Sequence, residues 1–185
     1  MARVRKSSYP DRLKAEFGSI IDDLDLDPER KRFLRARWLD QLAWVEGKAG
    51  QAQRRYYALR LTTVVGAVLV PGLVSINSGN DRLDTAARVA TWVVSLIVAI
   101  SAAVEQFFHF GERWRNYRQT AERLKAEGWL FFQLSGPYGA NGVGHDGAYL
   151  GFASRVEELL RADVDIYLTE IVVEKKGAPS RDGGT

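Results

Sequence analysis

Two uncharged apolar runs, LTTVVGAVLVPGLVSINSGN from Leu61 to Asn80 and VATWVVSLIVAISAAV from Val89 to Val104, lie close together in a chain that is otherwise densely charged. A helix rises about 1.5 Å per residue, so twenty residues cross about 30 Å, the thickness of a bilayer's hydrocarbon core. The first run has that length. The second is shorter, but Ala86 and Ala87 precede it, and beyond Glu105 the stretch Gln106 to Gly111 has no acidic residue, lysine or arginine. With Glu105 at an interface, the second run also spans. The alternative is a pair of buried helices in a soluble bundle. In a chain of 185 residues such helices carry a polar face, and neither run has one. The expected fold class is therefore all-α: a membrane protein with a two-transmembrane helical hairpin whose long helices extend into a cytosolic helical bundle.

This reading divides the chain into cytosolic N-terminal helices (1–57), the hairpin (58–110, with a short outer loop at 77–87), cytosolic C-terminal helices (111–176) and a disordered tail (177–185). Basic residues orient it. Arg54, Arg55 and Arg60 precede the first run, and Arg113, Arg115, Arg118 and Arg123 follow the second, whereas Arg82 and Arg88 in the loop are offset by Asp81 and Asp84. The positive-inside rule places both termini in the cytoplasm and makes the chain a multi-pass protein of the inner (plasma) membrane. Arg54, Arg55, Tyr56, Tyr57, Arg60, Arg113 and Trp114 are the expected membrane-interface residues. The N-terminus, MARVRKSSYPDRLK, lacks the apolar stretch of a secretory signal, so insertion falls to the first span itself.

Much chemistry is excluded by inventory. There is no cysteine, which removes disulfides, thiolate catalysis and cysteine-ligated metals, and the two histidines, His109 and His145, are far apart. No serine sits in a G-x-S-x-G elbow. Gly142, Gly144 and Gly147 spell G-x-G-x-x-G, but that loop binds dinucleotides only within a β-α-β unit, and here it follows a helix. His145 and Asp146 beside it read as a solvated turn. No catalytic residue, cofactor or metal is expected, and the chain does not read as an enzyme. A net charge of +3 with acids and bases interleaved argues against a nucleic-acid partner. The expected partners are the lipid bilayer and further copies of the chain.

Along the chain, residues 1–8 read as a basic tail and Arg12 to Leu24 as a short helix. Asp27-Pro28-Glu29 is a helix start, with Asp as cap and Pro tolerated in the first turn. The helix from Pro28 runs into the membrane with Phe33, Leu34, Trp38, Leu42 and Val45 on one apolar face; Gly47 and Gly50 mark a bend. Pro71 predicts a kink toward the outer end of the first span. Asp81 or Asp84 is expected to cap the second span, which then continues unbroken to the turn before Pro137 because Gly111 is the only weak point. Arg118 and Glu122 can pair at i,i+4, with Trp114, Tyr117, Leu124 and Trp129 supplying apolar contacts. A last helix carries Phe152, Val156, Leu159, Leu160 and Val164 on a shared face.

On the second span, Arg88, Thr91, Ser95, Val98, Ala102, Glu105, His109 and Glu112 recur at alternating steps of three and four, which traces one stripe along a helix. A small and polar stripe in a membrane either packs on another helix or faces water. Thr91, Ser95, Val98, Ala102, Glu105 and His109 are accordingly pore-lining candidates; the alternative is close helix packing, with Glu105 snorkelling or paired to Arg60.

In the order RRYYALRL, first span, short loop, second span ending near Glu105, then ERWRNYRQTAERLKAEGWLFFQLSGPY, the chain resembles the SLATT family, the SMODS and SLOG associating two-transmembrane effector domains of bacteria. The resemblance covers roughly Arg54 to Tyr138. It implies a membrane effector that forms pores when a separate nucleotide-sensing or nucleotide-synthesising protein signals during antiphage defence. The residues themselves require several protomers for a pore, since two helices cannot enclose an aqueous path. The leading expectation is an oligomeric pore or ion channel controlled through cytosolic helices, and its rival a non-conducting anchor that recruits a soluble partner. A membrane enzyme ranks third, for want of a convergent nucleophile, base or metal set.

Overall fold

The computed structural model describes residues 8–76, 79–139, 142 and 144–177; of residues 163–177 only the backbone is described. Among the described residues every regular element is helical: α1 (Tyr9–Asp23), α2 (Pro28–Phe33), a π-helical stretch (Leu34–Leu39), α3 (Asp40–Val74), α4 (Asp81–Phe108), α5 (Phe110–Phe132), a 3₁₀ turn (Gly136–Tyr138) and α6 (His145–Gly177). From Pro28 to Val74 the helix runs on for 47 residues. Most of the expected tail at 1–8, the loop residues Asn77 and Ser78, and the tail beyond Gly177 lie outside the described residues. So does the side chain of Val164.

The chain forms two compact units, one made of residues up to Gly47 and from Arg118 onward, the other of Lys48–Tyr117. These boundaries lie inside the long helices, ten residues before and seven after the sequence-based limits of 57 and 110/111, because packing and not hydropathy defines them.

In the first unit the expected apolar faces meet. Leu34, Trp38, Leu42 and Val45 are fully or almost fully buried with Ile21, Leu124, Phe131, Phe152 and Val156, while Phe33 is only half-buried. Phe17 lies edge-on to Trp38 at 5.3 Å between ring centroids, and Phe131 stacks on Phe152 at 4.5 Å. Such ring pairs add about 0.5–1.5 kcal/mol each beyond area burial. The Trp38 indole donates from Nε1 to the Leu124 carbonyl at 3.0 Å. It also covers Gly128, where a Cβ would overlap the ring.

Several details differ from the sequence expectations for local reasons. Ser8 is not tail but the cap of α1, in a reciprocal box with Asp11. Asp27 caps α2 as expected, accepting from the Glu29 amide at 2.7 Å. Gly47 and Gly50 both lie within α3, with open space at the Cβ position. Pro71 is likewise inside α3, which ends three residues later. Asn80, not Asp81 or Asp84, caps α4 by accepting from the Arg82 amide at 3.1 Å, so most of the expected outer loop is the first turns of α4. The long helix expected after Arg88 is broken at His109, whose φ of 49° lies in the left-handed region that ends a helix. His145 and Asp146 are not a solvated turn: a ring nitrogen of His145 is 3.1 Å from the Phe132 carbonyl oxygen, and Asp146 accepts from Arg30 at 2.6 Å.

Candidate functional site

The second unit holds both apolar runs. Among the described residues two helices are long and apolar enough to cross a membrane, Pro28–Val74 and Asp81–Phe108, and in their apolar windows only 6% and 11% of the residues are buried. A core helix of a soluble bundle would be mostly buried. Here Val68 is 73% and Trp92 79% exposed, with Leu61, Val64, Leu69, Val89, Val93, Leu96 and Ile100 exposed around them.

What burial there is follows a strict pattern. Along α3 the exposure falls at Ala52, Tyr56, Leu59, Thr63, Gly66, Val70 and Leu73, and along α4 at Asp84, Ala87, Thr91, Val94, Val98, Ser101 and Glu105. Both series alternate steps of three and four, the 3.5-residue repeat of a two-helix seam. Gly66 is its tightest point: the Val98 side chain occupies the space a Cβ would need, with Val94 beside it. Small residues at the seam let the two backbones approach, which is how apolar helices associate without a hydrophobic driving force.

Four hydroxyls on these helices return to their own backbone. Thr62 donates to the Ala58 carbonyl at 2.9 Å, Thr63 to Leu59 at 3.0 Å, Ser75 to Pro71 at 2.8 Å and Thr91 to Ala87 at 2.8 Å. No donor of these four is left over for an aqueous path or a costly exposure to hydrocarbon.

The structure divides the sequence-derived stripe. Thr91, Val98 and Glu105 lie on the seam against α3, Ser95 and Ala102 sit beside it and are exposed, and His109 leaves the helix with its side chain exposed. Glu105 forms no ion pair with Arg60 among the described residues. Sequence reasoning found the correct period but overlooked Ala87, Val94 and Ser101. The usable signal was Gly66, the position at which a facing helix can come closest.

Of the residues expected at a membrane interface, Tyr56, Tyr57 and Trp114 come together. Tyr56 stacks on Trp114 at 6.1 Å, Tyr57 is tilted against it at 5.7 Å, and Gly111 lies under the Tyr56 ring, whose nearest carbon is 2.9 Å from an ideal Cβ position. Phe110, missed from sequence, is buried, stacks on Phe108 at 5.4 Å and carries the Arg55 guanidinium 5.7 Å from its ring centroid. Arg54, Arg60 and Arg113 are exposed. One end of the apolar hairpin thus carries a collar of aromatic rings and arginines.

The first unit holds a polar cluster that composition did not reveal. Glu46, 5% exposed, accepts from Arg118 at 3.0 Å and pairs with Lys125 at 2.8 Å; Arg118 also holds Glu122 at 3.0 Å, the expected i,i+4 pair. Burial pulls the Lys125 ammonium down, but its bonds to Glu122 and Glu46 outweigh that and hold it above the ordinary lysine value. Arg37 donates twice to Glu157, at 2.6 and 2.8 Å, and this bond holds the Glu157 carboxyl below the usual range. Tyr138 donates to the buried Glu127 carboxylate; burial first and that bond second push the phenol well above its ordinary value. These are interlocked structural pairs. Among the described residues no three His, Asp or Glu side chains converge as a metal site.

No curated protein and no solved structure matches the chain. Its match among known families covers residues 40–142, more than half of its length, and the chain belongs to that family, described as a protein of unknown function (DUF4231).

Proposed function

We propose that this chain is a membrane-embedded effector in which α3 and α4 cross the bilayer as a hairpin and several copies assemble around an ion-conducting path controlled through the helical bundle. The observation that carries the membrane reading is the exposure of the apolar windows, 6% and 11% buried beside a first unit that buries Trp38, Phe131 and Phe152 completely. In water that apolar surface would cost about 25 cal/mol per Å². In hydrocarbon it costs nothing, and the back-bonded hydroxyls fit that solvent. The basic collar supports an inner (plasma) membrane location with both termini cytoplasmic.

Conduction needs polar surface outside the hairpin's own seam. Ser95 and Ala102 supply exposed small positions on α4, and the half-buried Glu105 stands near the collar. The packing of Thr91, Val98 and Glu105 within one hairpin favours the rival, a non-conducting anchor that recruits a soluble partner. The resemblance to SLATT effectors supports the pore and a separate nucleotide-sensing or nucleotide-synthesising partner in antiphage defence. Purified protein reconstituted in liposomes decides: the pore passes ions, and Ser95→Leu and Glu105→Ala reduce flux or alter its selectivity. Inserted oligomer that passes no ions under any condition, yet retains a soluble partner, establishes the anchor.

A further inference from the structure

The collar's arginines differ from most basic residues of the bundle, although Arg12, Arg32 and Arg123 there are also exposed and in no ion pair among the described residues. In the first unit Lys14, Arg30, Arg35, Arg37, Arg118, Lys125 and Arg155 each hold a carboxylate. In the second, Arg54, Arg55, Arg60, Arg113 and Arg115 are all exposed, and no ion pair among the described residues includes any of them. Glu105 and Glu112 are the carboxylates on this end of the unit, and neither is in an ion pair among the described residues. Stacking of Tyr56 on Trp114 and seating of Arg55 over Phe110 bring the 54–60 turns of α3 alongside the first turns of α5. Six residues of helix from Arg54 to Arg60 rise about 9 Å, and Arg113 and Arg115 lie in the first two turns of the neighbouring α5, so the five arginines belong to one end of the hairpin.

We infer that this collar binds the phosphate headgroups of anionic phospholipids. A guanidinium presents a planar fork suited to phosphate oxygens, and several gathered at one end of the hairpin without a carboxylate partner repel each other until an anion intervenes. The neighbouring surface selects a lipid over other phosphates. Arg60 is followed directly by the exposed apolar face that begins at Leu61, while Phe107, 75% exposed, and Phe108 continue the collar on the side of α4. Aromatic rings beside unpaired arginines at the end of an apolar span match the depth where acyl chains meet headgroups. A nucleic acid on the same arginines would leave the apolar helices in water.

This inference rests on the membrane reading, and one experiment separates the two. The full chain is reconstituted into vesicles of phosphatidylcholine alone or of an equal mixture with phosphatidylglycerol, and scored for insertion by flotation and for retained lipid by mass spectrometry after mild extraction. Wild-type protein should insert in both and retain phosphatidylglycerol several-fold over phosphatidylcholine, with the excess falling as salt rises. The combined Arg55→Gln, Arg60→Gln, Arg113→Gln and Arg115→Gln variant should insert yet lose the preference, whereas Arg30→Gln, in the bundle, should keep it. Equal retention of the two lipids by inserted wild-type protein, or an unchanged preference in the combined variant, overturns the lipid site alone. Displacement of the retained lipid by inorganic phosphate or RNA at equal charge also overturns it. Failure to insert in either vesicle removes the membrane reading beneath it.

Discussion

At the residue scale, Trp38 is fixed by its bond to the Leu124 carbonyl and by the space left at Gly128. Gly128→Ala should cost about 1–3 kcal/mol, the usual penalty for overpacking, read as a lowered denaturation midpoint of the purified chain. Gly50→Ala serves as the contrast: it is helical with open space around it, so the same substitution should stabilise by about 0.5–1 kcal/mol. His109 presents the converse case, an L residue at φ 49° where glycine is usual. His109→Gly should raise the unfolding midpoint, by the equivalent of up to about 1 kcal/mol; a lowered midpoint would mean that the imidazole makes a compensating contact. The roles of Gly128 and His109 were not legible in sequence. An apolar periodicity names Trp38 as core, but which glycine it covers depends on how two distant segments meet.

At the element scale, the same limit explains what was readable. The apolar length of both spans, the Asp27 cap and the buried face of Leu34, Trp38, Leu42 and Val45 are local properties, and all were legible. The π-helical stretch LRARWL has no composition that announces it, and α4 ends at His109, in the left-handed region, where the sequence shows neither glycine nor proline. The seam register was half legible: the period is in the sequence, the phase is in Gly66. Gly66→Leu should therefore separate α3 from α4, and crosslinking between cysteines placed at Thr63 and Ser101 should fall sharply. A second element-level prediction concerns acid. Glu157 on α6 has its pKa lowered by Arg37, so this pair's stabilisation is complete above the ordinary carboxyl value of 4.5 and is lost as pH falls through the lower folded value. A wild-type stability profile should drop below about pH 4.5, and Glu157→Gln should flatten part of that drop. A profile identical in the two proteins would show that the pair contributes nothing.

At the scale of the whole molecule, one chain combines a unit that buries Trp38, Phe131 and Phe152 completely with a unit whose large side chains are largely exposed, and a membrane is the solvent that suits the second. The absence of cysteine makes a direct test clean, because each introduced cysteine is the only one in the chain. Single variants at Arg82, Val68, Ile97 and Arg155 are expressed in bacterial cells whose outer membrane admits small reagents, then treated with a thiol reagent that cannot cross the inner membrane. The account predicts labelling of the Arg82 variant in intact cells, labelling of the Arg155 variant only after the inner membrane is opened, and no labelling at Val68 or Ile97 until the protein is unfolded. Labelling of Val68 and Ile97 in the folded protein, or of Arg155 in intact cells, would contradict it.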